Sequence, residues 1–137
     1  MRFLDTNIIL RYLTRDDEAK AKDCYELFRR VQRGEEDLAT CEAIVAEVVY
    51  VLSSPRLSYR LNHGEIRARL LPILTLRGLK LPHKRVCLRA LDLYASSAFL
   101  DFEDAVAVAH MEQRSIAEIV SYDRDFDRVA GLRRTEP

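Results

Sequence analysis

Residues 2–9 read Arg2-Phe3-Leu4-Asp5-Thr6-Asn7-Ile8-Ile9. Arg2 to Asp5 has the length and apolar character of a short buried strand, and Thr6 and Asn7 are residue types that cap helices. Ile8, Ile9, Tyr12 and Leu13 follow at helical spacing. A strand that runs directly into a helix is the building unit of a parallel sheet covered by helices. Ligands of such sheets sit beyond the carboxyl ends of the strands, and this strand ends on a carboxylate, Asp5. The same Asp5-Thr6-Asn7 triplet also suits a plain helix cap.

The rest of the chain repeats the alternation. Helices are expected over Asp17 to Arg33, with Gly34 as the stop, and over Glu42 to Ser53, ended by Ser54-Pro55. Others are expected from the cap Asn62-His63-Gly64-Glu65 to about Leu76, over His83 to Phe99 and over Asp101 to Arg114. Leu38 to Thr40, Gly78 to Leu81, Glu118 to Ser121 and Leu132 to Thr135 read as short strands, and Asp125 to Val129 as a helical turn. A length of 137 residues suits one domain with one core. No repeat or linker interrupts it.

Three further acids join Asp5 in apolar surroundings. They are Glu47 in Val45-Ala46-Glu47-Val48-Val49, Asp104 in Asp101-Phe102-Glu103-Asp104-Ala105 and Asp123 in Val120-Ser121-Tyr122-Asp123. Burying an unpaired carboxylate costs several kcal/mol or more, so such acids are expected to share a partner. A divalent cation held by oxygen ligands is the natural one. Glu47 has Ala43, Ile44, Tyr50 and Val51 three and four positions away, so its helix offers no ion pair. Asp101 has the position of an N-cap and Asp104 that of the third helical residue, which makes Asp104 the better ligand. Asp123 lies among Asp125 and Asp127, as in a solvated loop, yet directly follows a strand. Helix starts and strand ends share one edge of a parallel sheet, so the four acids are expected to converge there.

The composition, 48% hydrophobic and 32% charged, is that of a folded soluble protein. The apolar run Ala43 to Leu52 is broken by Glu47, and no run is long enough for a membrane span. The start of the chain has no signal-peptide pattern. Cys24, Cys41 and Cys87 are widely separated and odd in number, as expected for free thiols in the cytoplasm. His63, His83 and His110 lack metal-ligand spacing, and no glycine-rich phosphate loop is present. The neutral total conceals two opposed segments. Arg56 to Arg89 holds nine basic residues and one acid, and Asp101 to Asp127 holds eight acids and two arginines. The pairing suits an enzyme that binds metal with one face and a polyanion with the other, and Arg67 and Arg69 are the candidates for contact with that polyanion. Two solvated faces would give the same composition.

In this order and spacing, the motifs resemble those of the PIN-domain nucleases, and within them the VapC toxins of prokaryotic toxin–antitoxin pairs. Phe3-Leu4-Asp5-Thr6-Asn7-Ile8 is similar to the family's opening strand, Glu47 to its glutamate and Asp104 to its third acid. Ser121-Tyr122-Asp123-Arg124-Asp125-Phe126 is similar to its closing motif, with serine where threonine is more frequent. The resemblance implies a three-layer α/β/α sandwich with a central parallel sheet. It implies Mg²⁺ or Mn²⁺ held by Asp5, Glu47, Asp104 and Asp123, with Thr6, Asn7, Asp101 and Ser121 in support. It further implies endoribonuclease activity, a homodimer, and a small antitoxin that inserts a basic side chain among the acids. A non-catalytic RNA-binding or scaffold domain and a structure-specific DNA nuclease are the rival readings. The four acids speak against the first, and the short chain against the second.

Overall fold

A computed structural model describes residues 1–56 and 60–137. Leu57 to Tyr59, inside the basic segment, lie outside the described residues. Strand β1 (Arg2–Phe3) leads into α1 (Thr6–Thr14) and α2 (Glu18–Gln32). β2 (Leu38–Ala39), α3 (Glu42–Ser53) and α4 (His63–Leu74) follow, then β3 (Leu79–Lys80), α5 (Lys84–Ser96) and α6 (Phe102–Gln113). The chain closes with β4 (Glu118–Val120), a 3₁₀ helix (Arg124–Arg128) and β5 (Arg133–Thr135).

The helix limits follow the sequence signals. Asp17 caps α2 by accepting from the Lys20 amide at 3.1 Å, and Gly34, at φ 76°, supplies the left-handed turn after it. Asn62 and Glu65 form the reciprocal capping box of α4, with bonds of 2.9 and 3.1 Å. Helix α5 is shorter at both ends than its apolar pattern suggests. It begins after His83, which is itself left-handed at φ 54°. The Lys84 ammonium, partly buried, donates to the carbonyls of Leu76 and Leu79 and ties α5 to the end of α4 and to β3.

All strand pairs are parallel, and helices flank them as in a three-layer α/β/α fold. The sheet has two parts. One has the order β1-β2-β3, with Arg2 opposite Leu38 and Leu38 opposite Leu79. The other pairs β4 with β5, Glu118 opposite Arg133. The sequence leads one to expect a continuous sheet, but among the described residues β1 and β4 pair with one neighbour each. Each leaves an open edge beside exposed apolar side chains, Phe3 on one and Val120 and Tyr122 on the other.

The core gathers around the first part. Ile9, Val45, Val48, Leu52, Leu70 and Leu91 are completely or almost completely buried there, and Phe102 of α6 joins them. Gly78 is required where β3 passes α2. A Cβ at this position would come within 2.8 Å of Val31 Cγ1 and 3.0 Å of the Glu36 carbonyl oxygen. The Gly78 carbonyl accepts from the Leu38 amide at 2.8 Å, so this close approach sets the β2–β3 spacing. Thr40, also buried, donates its hydroxyl to the Leu4 carbonyl at 3.0 Å and fastens the carboxyl ends of β1 and β2 together.

Candidate functional site

Asp5 occupies the N-cap position of α1, yet its carboxylate makes no capping bond. The plain-cap reading of Asp5 therefore fails, and the carboxylate is exposed and uncommitted at the end of β1. Thr6, next in the chain and buried, donates its hydroxyl to Glu47 Oε2 at 2.8 Å. That bond crosses from α1 to α3 and holds Glu47 beside the end of β1. Glu47 has its backbone on an otherwise apolar helix but its side chain in solvent.

Asp101 and Asp104 divide as their positions predict. Asp101 Oδ1 accepts from the Asp104 amide at 2.9 Å and caps α6. Asp104 is the half-buried member of the set. Its carboxyl is pushed up to about 6, first by burial, then by the charge of Asp101 and a hydrogen bond to it, then by Asp123 and Glu103. Asp123 lies on the loop after β4. Ser121 Oγ accepts from the Asp123 amide at 3.0 Å, and Asp123 Oδ1 accepts from the Asp125 amide at 2.9 Å. Ser121 thus shapes the loop that carries Asp123, and one Asp123 oxygen stays free for another partner.

Burial was expected for these acids and is largely absent. Asp5, Glu47, Asp101 and Asp123 are exposed and Asp104 is half-buried, because each stands where an apolar element meets solvent. None of Asp5, Glu47, Asp104 or Asp123 forms an ion pair with a lysine, arginine or histidine among the described residues.

Two links join the acids in pairs. Asp5 and Glu47 belong with the β1-β2-β3 part, joined through Thr6; Asp104 and Asp123 interact through their charges. Among the described residues, no three acids, histidines or cysteines form a ready-made metal site. What links the groups is the packing of α3 on α6. His110 Nε2 lies 3.2 Å from Glu42 Oε2, and Phe102 shares a pocket with Val49 and Tyr50. The start of α3 therefore faces the end of α6, the helices run antiparallel, and Glu47 and Asp104 come to the same level.

Asn7 is not drawn into either group. It is exposed and lines a hollow with Arg11, Lys20 and Asp23 on the α1–α2 side. The two basic candidates also differ. Arg67 Nε donates to Asp92 Oδ1 at 2.8 Å, which bridges α4 to α5 and neutralises much of its charge. Arg69 is exposed and in no ion pair among the described residues. Sequence reasoning missed the pocket beside the acids, where His63 stacks on Tyr94 with ring centres 3.7 Å apart. Its only signal was the pair of tyrosines, Tyr50 and Tyr94, each the one aromatic residue of its helix.

Residues 2–132 match the PIN domain family. No curated protein matches the sequence. Among solved structures, the chain is similar to the crystal structure of Mycobacterium tuberculosis VapC20, a sarcin-ricin loop cleaving toxin. The identity is 18%, each chain is covered over 100% of its length, and the TM-score is 0.40. Among the described residues, no helix is long and apolar enough to cross a membrane.

Proposed function

The chain belongs to the PIN domain family, whose members are generally nucleases, and from that premise we propose that it is a divalent-metal-dependent endoribonuclease, the toxin of a toxin–antitoxin pair acting in the cytoplasm. The observation that carries the reading is the set of four carboxylates without basic partners among the described residues, one of them with its pKa raised by burial and then by its acidic neighbours. An all-oxygen, anionic donor set suits Mg²⁺ or Mn²⁺ and no softer metal. Asp5, Glu47 and Asp104 would hold the ion, with Asp123 in support. Bound there, it would lower the pKa of a water and stabilise charge on the phosphate.

The chain's own residues have definable parts. Thr6 fixes one oxygen of Glu47 and leaves the other for a ligand. Asp101 satisfies the start of α6, so that Asp104 is free of capping duty. Ser121 sets the backbone that presents Asp123. Arg69, with a lesser share from Arg67, would attract the RNA backbone from the α4 face. A homodimer and a small antitoxin with a basic side chain for the acids complete the reading. The open edges of β1 and β4 are surfaces that a second subunit would cover.

The test is cleavage of single-stranded and looped RNA by the purified protein. Cutting with Mg²⁺ or Mn²⁺ that stops in EDTA is expected. Cutting that resists EDTA would rule out the metal-dependent mechanism. A neighbouring reading frame encoding a small protein with a DNA-binding N-terminus would support the toxin assignment.

A further inference from the structure

A pocket of about 300 Å³ opens between α3, α5 and the start of α6, next to the candidate acids. Its lining includes Tyr50, Ser53, Arg60, His63, Asp101 and Glu103. Tyr50 is one helical turn beyond Glu47, and Glu103 immediately precedes Asp104. The floor is aromatic. Tyr94 is buried, stacks on His63 at an interplanar angle of 9°, and meets Phe102 edge-on at 5.9 Å. The His63 ring is fixed by a 2.8 Å contact of Nδ1 with the Tyr94 carbonyl oxygen. Ser53 Oγ donates to the Tyr50 carbonyl at 3.0 Å, and Asp101 and Glu103 line the same pocket as Tyr94. Tyr50 is 72% exposed, a large flat side chain with nothing to pack on at the rim.

We propose that this pocket holds a guanine base of the RNA, next to the phosphate to be cut. The proposal rests on the nuclease reading above and names what its substrate must present. The exposed Tyr50 at the rim and the partly exposed ring of His63, backed by the buried Tyr94, favour a planar ligand, and protein–RNA recognition regularly stacks splayed bases on such side chains. The polar groups then select among bases. Glu103 is an acceptor of two hydrogen bonds, and Arg60 is a donor of several. Guanine offers two donors, N1–H and the N2 amine, on one edge and two acceptors, O6 and N7, on the other. It is the one base of the four that can offer two adjacent donors to a carboxylate and two acceptors to a guanidinium at once. An arginine side chain from a protein partner would suit the acids and the aromatic floor, but it would set a second guanidinium against Arg60.

The test is an NMR titration of the full chain with GMP, AMP, CMP and UMP in EDTA, where no cleavage occurs. GMP is expected to bind at least about tenfold more tightly than the others, with shifts centred on Tyr50, Ser53 and Tyr94. Glu103→Gln should bring GMP to the level of AMP, and Arg60→Gln should weaken it as well, with both variants melting like the wild type. Equal binding of the four nucleotides, or GMP binding untouched by Glu103→Gln, would overturn the proposal. So would tighter binding of N-acetylargininamide than of GMP. Because the readout needs neither metal nor turnover, a protein that prefers GMP but cuts no RNA would refute the nuclease reading alone. A protein that cuts RNA but binds the four nucleotides alike would refute only the guanine pocket.

Discussion

Replacing Asp104 with asparagine should make the metal-free protein more stable, although it removes a residue assigned to the active site. The Asp104 carboxyl moves from its ordinary 3.8 to about 6 in the folded chain. A difference of about 2 units, at 1.36 kcal/mol each, sets a ceiling just under 3 kcal/mol on the cost of the ionised form. Asp104 is only half-buried, so solvent screening reduces this to about 1–2 kcal/mol. Below about pH 4 the carboxyl is protonated in both folded and unfolded chains, and the cost is absent. It develops as the pH rises through the folded pKa and is complete above it. Asp104→Asn keeps the shape and deletes the charge. With about 2.1 cal/mol/K of unfolding entropy per residue, its melting temperature at pH 7.5 in EDTA should exceed that of the wild type by about 3–7 °C. The advantage should shrink toward zero near pH 4. Mg²⁺ should raise the melting temperature of the wild type and leave the variant unmoved. A variant less stable than the wild type at pH 7.5, or a gain that does not depend on pH, would refute the reasoning.

Substitutions at three further residues probe the supporting structure. Thr6→Val removes the hydroxyl that holds Glu47, so RNA cleavage should fall about tenfold or more while the fold persists; unchanged cleavage would show that the Thr6–Glu47 bond does not position the glutamate. Asp101→Asn should change the melting temperature by little, because asparagine caps as well as aspartate, whereas Asp101→Ala should cost about 1 kcal/mol in urea unfolding. Gly78→Ala should cost about 1–3 kcal/mol in the same assay, since its Cβ meets Val31 and the Glu36 carbonyl, and a neutral result would mean that α2 can move away from β3.

The local rules of the chain carried most of the fold. Asp17, Asn62 with Glu65, and Asp101 each cap the helix that their sequence context predicts, because capping depends on residues within one turn. The division of labour between Asp101 and Asp104 was legible for the same reason. Long-range arrangement was less so. Nothing in Glu118 to Val120 reveals that this strand pairs with β5 and, among the described residues, with no other strand, since strand order is set by contacts distant in sequence. The expectation of one cluster of four acids depended on that order, and among the described residues the links are pairwise, Asp5 and Glu47 through Thr6 and Asp104 with Asp123 through charge. Exposure misled in a related way: Glu47 lies in an apolar run, but its helix has one solvent-facing side, and that side is where the glutamate stands. The Arg67–Asp92 bridge joins two helices and could not be read from either one alone.

The central claim is that carboxylates from both groups share one divalent ion. Binding of Mn²⁺, followed by electron paramagnetic resonance at pH 7.5, tests it most directly. The wild type should bind Mn²⁺ in competition with Mg²⁺, and Asp5→Asn, Glu47→Gln and Asp104→Asn should each weaken that binding by at least about tenfold, since each removes a charge from the same ion. Binding that survives Asp5→Asn and Glu47→Gln but is lost in Asp104→Asn would mean that the two groups act separately, and would contradict the shared site.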